Sequence, residues 1–105
     1  MAFDVKVSRM DFDNTLKLVK KFNKTRKPYD LILDLAGDTL LLITPVATLQ
    51  LLAMGAADCR IQLPGQVVVR MLGTFPNVEF LQFKLEGTAL KIGRLTMTCT
   101  VAGRS

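Results

Sequence analysis

Residues 39–57, "TLLLITPVATLQLLAMGAA", run for nineteen positions without a charged side chain, and this stretch limits the possible folds more than any other. A segment of that length and polarity either crosses a membrane as a helix or is buried among other elements. Asp38 and Asp58 flank it, Pro45 interrupts it, and Thr44, Thr48 and Gln50 dilute it. A proline in the interior removes a helical hydrogen bond and breaks the span. Two buried strands joined at Thr44-Pro45 account for the same residues, so the chain must supply a layer that covers them.

The rest of the chain supplies it. Phe3, Val5 and Val7 alternate with Asp4, Lys6 and Ser8, the period of a half-buried strand. From Tyr29, Leu31, Leu33 and Leu35 alternate with Asp30, Ile32 and Asp34, and Gly37-Asp38 reads as the turn of a hairpin. "ATLQLLAMGAADCRIQL" reads as a strand, a break around Gly55, and another strand ending near Leu63. In the C-terminal third, Leu81, Phe83 and Leu85 oppose Gln82, Lys84 and Glu86, while Leu95, Met97, Cys99 and Val101 oppose Thr96, Thr98 and Thr100. With turns at Gly87-Thr88 and Gly93-Arg94, this is a three-stranded meander.

Two stretches change period. Phe12, Leu16, Val19 and Phe22 recur at helical spacing, with Asp11 or Asp13 as the cap and an end between Asn23 and Lys27, before Pro28. In "LPGQVVVRMLGTFPN" the three valines favour a strand, yet Val67, Val68, Met71, Leu72 and Phe75 form a helical stripe and Pro64 suits a first turn. The stripe predicts a short helix. The expected fold is therefore one α+β domain over residues 1–102, in the order β-α-ββββ-α-βββ, an antiparallel sheet backed by two helices. Gly103-Arg104-Ser105 reads as a disordered tail or a cloning scar.

Composition narrows the chemistry. The 105 residues carry 14 Lys and Arg against 9 Asp and Glu, a net charge of +5 that favours an anionic partner without identifying one. Histidine is absent, which removes the commonest general acid or base and the commonest metal ligand. Cys59 and Cys99 lie far apart outside any C-x-x-C pattern and read as reduced core thiols. No phosphate-binding G-x-x-x-x-G-K-[ST] or dinucleotide G-x-G-x-x-G occurs. Asp11 with Asp13, or Asp30 with Asp34, could meet at a metal, but helix capping and a solvated strand face explain them more simply. The expectation is a protein without cofactor or metal and without enzymatic activity. "MAFDVKVSRM" holds no long apolar stretch of the signal-peptide kind, so a cytoplasmic setting and no membrane partner are expected.

One surface stands out. "LKLVKKFNKTRK", residues 16–27, has six cations and no carboxylate within twelve residues. At about 100° per residue, Lys17, Lys20, Lys21 and Lys24 fall within about 100° of one another and opposite the apolar stripe. Acids that would pair with them at i, i+4 are missing from this stretch. Arg26 and Lys27 extend the patch into the following loop. Two readings stand side by side: a solvated lysine face, and a stripe of mobile point charges that meets phosphates irrespective of sequence.

The stretches "FDNTLKLVKKF", "GDTLLLIT" and "RIQLPGQVVVRMLGTFPNVEFLQFKLEGTALKIGRLTMTC" resemble one repeat of the DNA sliding clamps, the bacterial polymerase III beta subunit and the eukaryotic and archaeal ring clamps. The resemblance covers nearly the whole chain as a pattern of elements and apolar positions. It implies the clamp-like (processivity) fold, a sheet layer backed by two helices, of which six copies close into a ring around duplex DNA. It implies further that Lys17, Lys20, Lys21 and Lys24 of the first helix face the phosphates, joined by Arg70 as the second helix's sole cation. Ring contacts would pair the strand around Ala47 to Met54 with the strand around Leu95 to Val101 of a neighbour. One repeat would need a head-to-tail hexamer to close; a dimer, or a domain joined to another protein, is equally allowed. Implied partners are double-stranded DNA, further copies of the chain, and replication or repair proteins, in the role of a replication accessory. The connector beside which family members bind client peptides has no counterpart here.

Overall fold

A computed structural model describes residues 2–24, 27–75 and 77–102, apart from the side chains of Ala2, Ala56 and Ala102. The elements are β1 (Ala2–Ser8), α1 (Arg9–Phe22), β2 (Asp30–Ile43), β3 (Thr48–Pro64), α2 (Gly65–Val69), β4 (Phe80–Glu86), β5 (Ala89–Ile92), β6 (Leu95–Thr98) and β7 (Thr100–Ala102). The fold is α+β, with two helices and one antiparallel sheet. Its strands run β2-β3-β1-β4-β5-β6, and β7 pairs with β3. The expected tail, residues 103–105, lies outside the described residues.

The uncharged run forms the heart of a long hairpin, joined where the prolyl turn places it. Thr44 is buried at the tip. Its N–H donates to Ala47 O at 2.8 Å, and its Oγ1 accepts from Ala47 N at 3.0 Å. The four strands expected between the helices are instead two long ones. At Gly37-Asp38 the chain does not turn: Gly37 faces Ala57 and Thr39 faces Leu52, so residues 53–56 of β3 lie opposite Asp38 alone. That is a bulge, which bends a strand and increases its twist without ending it. Gly55 sits inside it at φ +102°, and a Cβ there would stand 3.1 Å from Asp4 O of the neighbouring β1. The break expected at Gly55 is thus a bend that lets β3 pair with β1 at Ala53 and Met54, and with β7 at Arg60 to Gln62.

The meander forms as its turns dictate, with Leu85 opposite Leu90 and Leu90 opposite Met97. It does not continue as one strand through Val101. Cys99 donates its N–H to Thr88 O at 2.8 Å, and the chain then crosses to β3, so the sheet curls back on itself. Leu95, expected to face inward, is 40% exposed because β6 ends the sheet order.

Burial is one-sided. Val5, Val7, Leu33, Leu35, Ile61, Leu63, Leu81, Phe83 and Leu85 fill the covered face. Phe12 of α1 enters this layer, its ring edge-on to Phe83 at 4.9 Å between centroids and tilted against Phe75 at 5.6 Å. The short α2 is capped by Pro64 and buries Val68, with Met71 buried in the turn that follows. Gly65 is required here: its N–H donates to Tyr29 O at 2.8 Å, and a Cβ would run into the Tyr29 ring. Cys59 and Cys99 are free and buried. Among the described residues no helix is long and apolar enough to cross a membrane.

Candidate nucleic-acid interface

Helix α1 starts earlier than expected. Its cap is Ser8, not Asp11 or Asp13: Ser8 Oγ accepts from Asp11 N at 3.3 Å while its backbone is still extended from β1. Asp11 occupies the first turn and Lys20 and Lys21 the last, both favourable to the helix dipole. Arg9 fastens this end to the loop before β4, donating from N to Glu79 O at 3.1 Å and from Nε to Val78 O at 2.9 Å. At the other end Asn23 caps the helix. Its backbone N–H and its Nδ2 both donate to Val19 O, at 3.0 and 2.9 Å, and Nδ2 also reaches Thr44 Oγ1 at 3.3 Å. The hairpin tip therefore holds the C-terminus of α1 in place. Sequence reasoning missed this role, for which an asparagine where the helical spacing ends was the available signal.

Lys17, Lys20 and Lys21 are exposed on the side of α1 opposite the buried Phe12, Thr15, Leu16 and Val19. Lys24 is exposed too, but it lies one residue past the cap and so beyond the helix on which it was placed. Lys27 is exposed, Arg26 lies outside the described residues, and Arg70 is exposed at the C-cap of α2. Helix α1 also packs against the segment that follows α2, through Phe12 and Phe75 and through Gly73, whose N–H donates to Asp13 Oδ1 at 3.4 Å. Asp13 is the acid one turn before Lys17, and its Oδ1 is turned toward the turn that follows α2. None of Lys17, Lys20, Lys21 and Lys24 has an ion-pair partner among the described residues.

One expected core residue belongs to this surface instead. Phe22 is 51% exposed, and Leu18, four residues before it, is 40% exposed. Phe22 ends the helix and stands well off the centre of the stripe made by Phe12, Leu16 and Val19. The Leu18–Phe22 ridge thus runs beside the Lys17–Lys21 ridge, apolar next to cationic.

A second cationic group lies on the outward face of the sheet. Lys84 of β4 stands directly opposite Lys91 of β5, with Asp4 of β1 and Thr96 of β6 continuing the row. The two-residue turn at Gly87-Thr88 fixes this register, so counting outward from that turn would have found the pair. A hollow of about 190 Å³ here is lined by Lys84, Glu86, Ala89, Lys91 and Thr96. It is compensated at Lys84, whose Nζ lies 3.2 Å from Glu86 Oε1, while Asp4, opposite Lys84 in the row, accepts from Gln82 Nε2 at 2.8 Å through Oδ1.

The carboxylates read as a possible metal pair do other work. Asp34, expected on a solvated face, is buried and accepts from Arg60 Nη2 at 3.0 Å across the β2–β3 ladder. Among the described residues no three His, Cys, Asp or Glu side chains gather as a metal ion would require. Burial pushes the Cys59 and Cys99 thiols and the Tyr29 hydroxyl above their ordinary pKa values. Comparison of the chain with protein-family models, with curated proteins and with solved structures found no match.

Proposed function

We propose that this is a non-enzymatic, sliding-clamp-like DNA-binding domain of the replication-accessory kind, which holds the phosphate backbone of duplex DNA through α1 and associates with further copies through strand edges. The observation that carries the reading is the exposure of Lys17, Lys20, Lys21 and Lys24 around one helix end with no carboxylate paired to them among the described residues. Four ammonium groups on flexible stems suit phosphates and carry no base information. Arg70 and Lys27, both exposed, extend the surface. For self-association, the sheet order leaves one of the edges that the resemblance implied, β6 (Leu95–Thr98), at the end of the sheet, and places the other largely in its interior. The Ala47 to Met54 segment lies mostly inside β3, paired with β2 over Thr48 to Leu52 and with β1 at Ala53 and Met54. The strands that end the order are β2 and β6, and residues 100–102 are engaged with β3.

Reversing the four lysines to Glu tests the DNA reading: binding to a mixed-sequence duplex at low salt is expected to disappear, and unchanged binding would end it. Light scattering on a sizing column tests association. A hexamer fits a closed ring of single repeats, whereas a monomer at all concentrations contradicts the edge contact.

A second reading, a protein-interaction module with no nucleic-acid role, is favoured by a different observation. Leu52, Met54 and Phe80 are 73%, 46% and 41% exposed. On the outward face they flank Lys6 and Ser8 of β1. This reading expects complexes that persist when the lysines are reversed.

A further inference from the structure

The Lys17–Lys21 ridge answers to a phosphate backbone, but the Leu18–Phe22 ridge beside it does not. A duplex presents its sugar-phosphate edge to such a face and keeps its bases stacked inside, out of reach of a short aromatic side chain. An exposed phenylalanine alone needs no explanation, since large apolar side chains are often scattered over surfaces. Here the ring is half exposed on the last residue of a helix, adjoining Lys21 in sequence and Leu18 one turn back. The end of that helix is tied down by Asn23 through Val19 O and Thr44 Oγ1. A ring held in place among uncompensated cations is the pairing that single-stranded nucleic acid uses: phosphates to the charges, an unpaired base to the ring.

Resting on the phosphate reading of α1, we infer that this face takes single-stranded nucleic acid as well as duplex, with Phe22 stacking on an unpaired base and Leu18 supporting its apolar side. Lys17 and Lys21 lie one turn apart, about 6 Å along the axis, and hold phosphates flanking that base. Phe22 thereby discriminates single strand from duplex, while the lysines serve both.

The chain contains no tryptophan, so Phe22→Trp places a unique fluorophore at the proposed contact. Three proteins are compared by anisotropy on labelled oligo-dT and on a duplex of equal length: the original chain, Phe22→Ala, and the four-lysine reversal. Phe22→Ala is expected to weaken oligo-dT binding about tenfold and leave the duplex within about twofold. Phe22→Trp is expected to retain oligo-dT binding, its emission quenched as the strand is added. Lysine reversal is expected to abolish both. If reversal abolishes both but Phe22→Ala changes neither, or changes both alike, the stacking inference falls and the phosphate reading stands. If reversal changes neither, the phosphate reading falls, and the inference with it. Emission that ignores oligo-dT but shifts to the blue with phosphatidylserine vesicles assigns the ridge to a lipid surface and overturns the inference.

Discussion

The solvent side of α1 and the outward face of β4 to β6 are both rich in lysine, yet they differ in what stands next to each charge. On the sheet, Lys84 and Lys91 face each other in register, but Lys84 has Glu86 at 3.2 Å and Asp4 opposite it on β1. On the helix, Lys17, Lys20 and Lys21, with Lys24 just beyond, have no ion-pair partner among the described residues. Cations matched by acids within a few ångströms have little field left to offer a partner. Cations that repel one another release that repulsion when an anion arrives. Compensation, more than the number of lysines, separates a candidate binding face from a solvated one.

The comparison breaks most visibly if the two faces are exchanged as targets. Reversing Lys17, Lys20, Lys21 and Lys24 to Glu should lower duplex affinity by more than about a hundredfold, since several phosphate contacts are lost together. Lys84→Glu with Lys91→Glu should change it by less than about threefold. Anisotropy titrations at one fixed salt concentration check both, and equal losses would erase the distinction between the faces.

Next in size is the scaffold that aims the helix. Asn23→Ala removes the hydrogen bonds from Nδ2 to Val19 O and Thr44 Oγ1 and with them the side-chain tie between α1 and the hairpin tip, while the backbone N–H bonds to both oxygens remain. A loss of about 1–2 kcal/mol is expected in denaturant unfolding. Arg60→Ala, on the other side of the molecule, exposes the dependence of buried Asp34 on its charged partner and should cost about 2 kcal/mol without altering DNA affinity.

A smaller effect has opposite signs on the two faces. Replacing Lys17 by Gln relieves its like-charge pairs with Lys20 and Lys21, leaves the two cations that favour the helix C-terminus in place, and should stabilise the protein by about 0.5 kcal/mol. Lys84→Gln breaks an exposed ion pair and should be neutral or slightly destabilising. Thermal midpoints at low salt separate the cases, and the difference should shrink as salt is added.

The smallest effect lies in the core beneath both faces. The Cys59 and Cys99 thiols and the Tyr29 hydroxyl hold their protons more tightly folded than unfolded, because burial disfavours their anions. Their contribution is fully present below the ordinary thiol range, about 8.5, and stability falls as the pH rises through and above it. Unfolding midpoints between neutral and strongly alkaline pH should decline, less so in a Cys59→Ser, Cys99→Ser variant after allowance for lost packing.

Much of this was written locally in the chain. The lysines of α1, its buried stripe, the prolyl hairpin tip and the C-terminal meander each follow from spacing or a turn signal within a few residues. What stayed hidden depends on partners distant in sequence. Gly37-Asp38 has the composition of a turn, but pairing with β3 on both sides of the bulge keeps β2 extended through it. The return of β7 to β3 has no local signature, because residues 100–102 alternate as a continuation of β6 would. Ser8 was overlooked as a cap since it also ends a strand. Phe22 read as core because its spacing fits the stripe, while it stands well off the centre of the stripe made by Phe12, Leu16 and Val19 and is half exposed. At the site the cations were legible and the apolar ridge beside them was not.

The account's central claim is that uncompensated lysines of α1 meet phosphates, and the salt dependence of duplex binding tests it most directly. Four phosphate contacts predict a slope of log affinity against log salt of about −3.6, collapsing toward zero when the four lysines are reversed. Binding with a slope near zero, or a slope that survives the reversal, would contradict it.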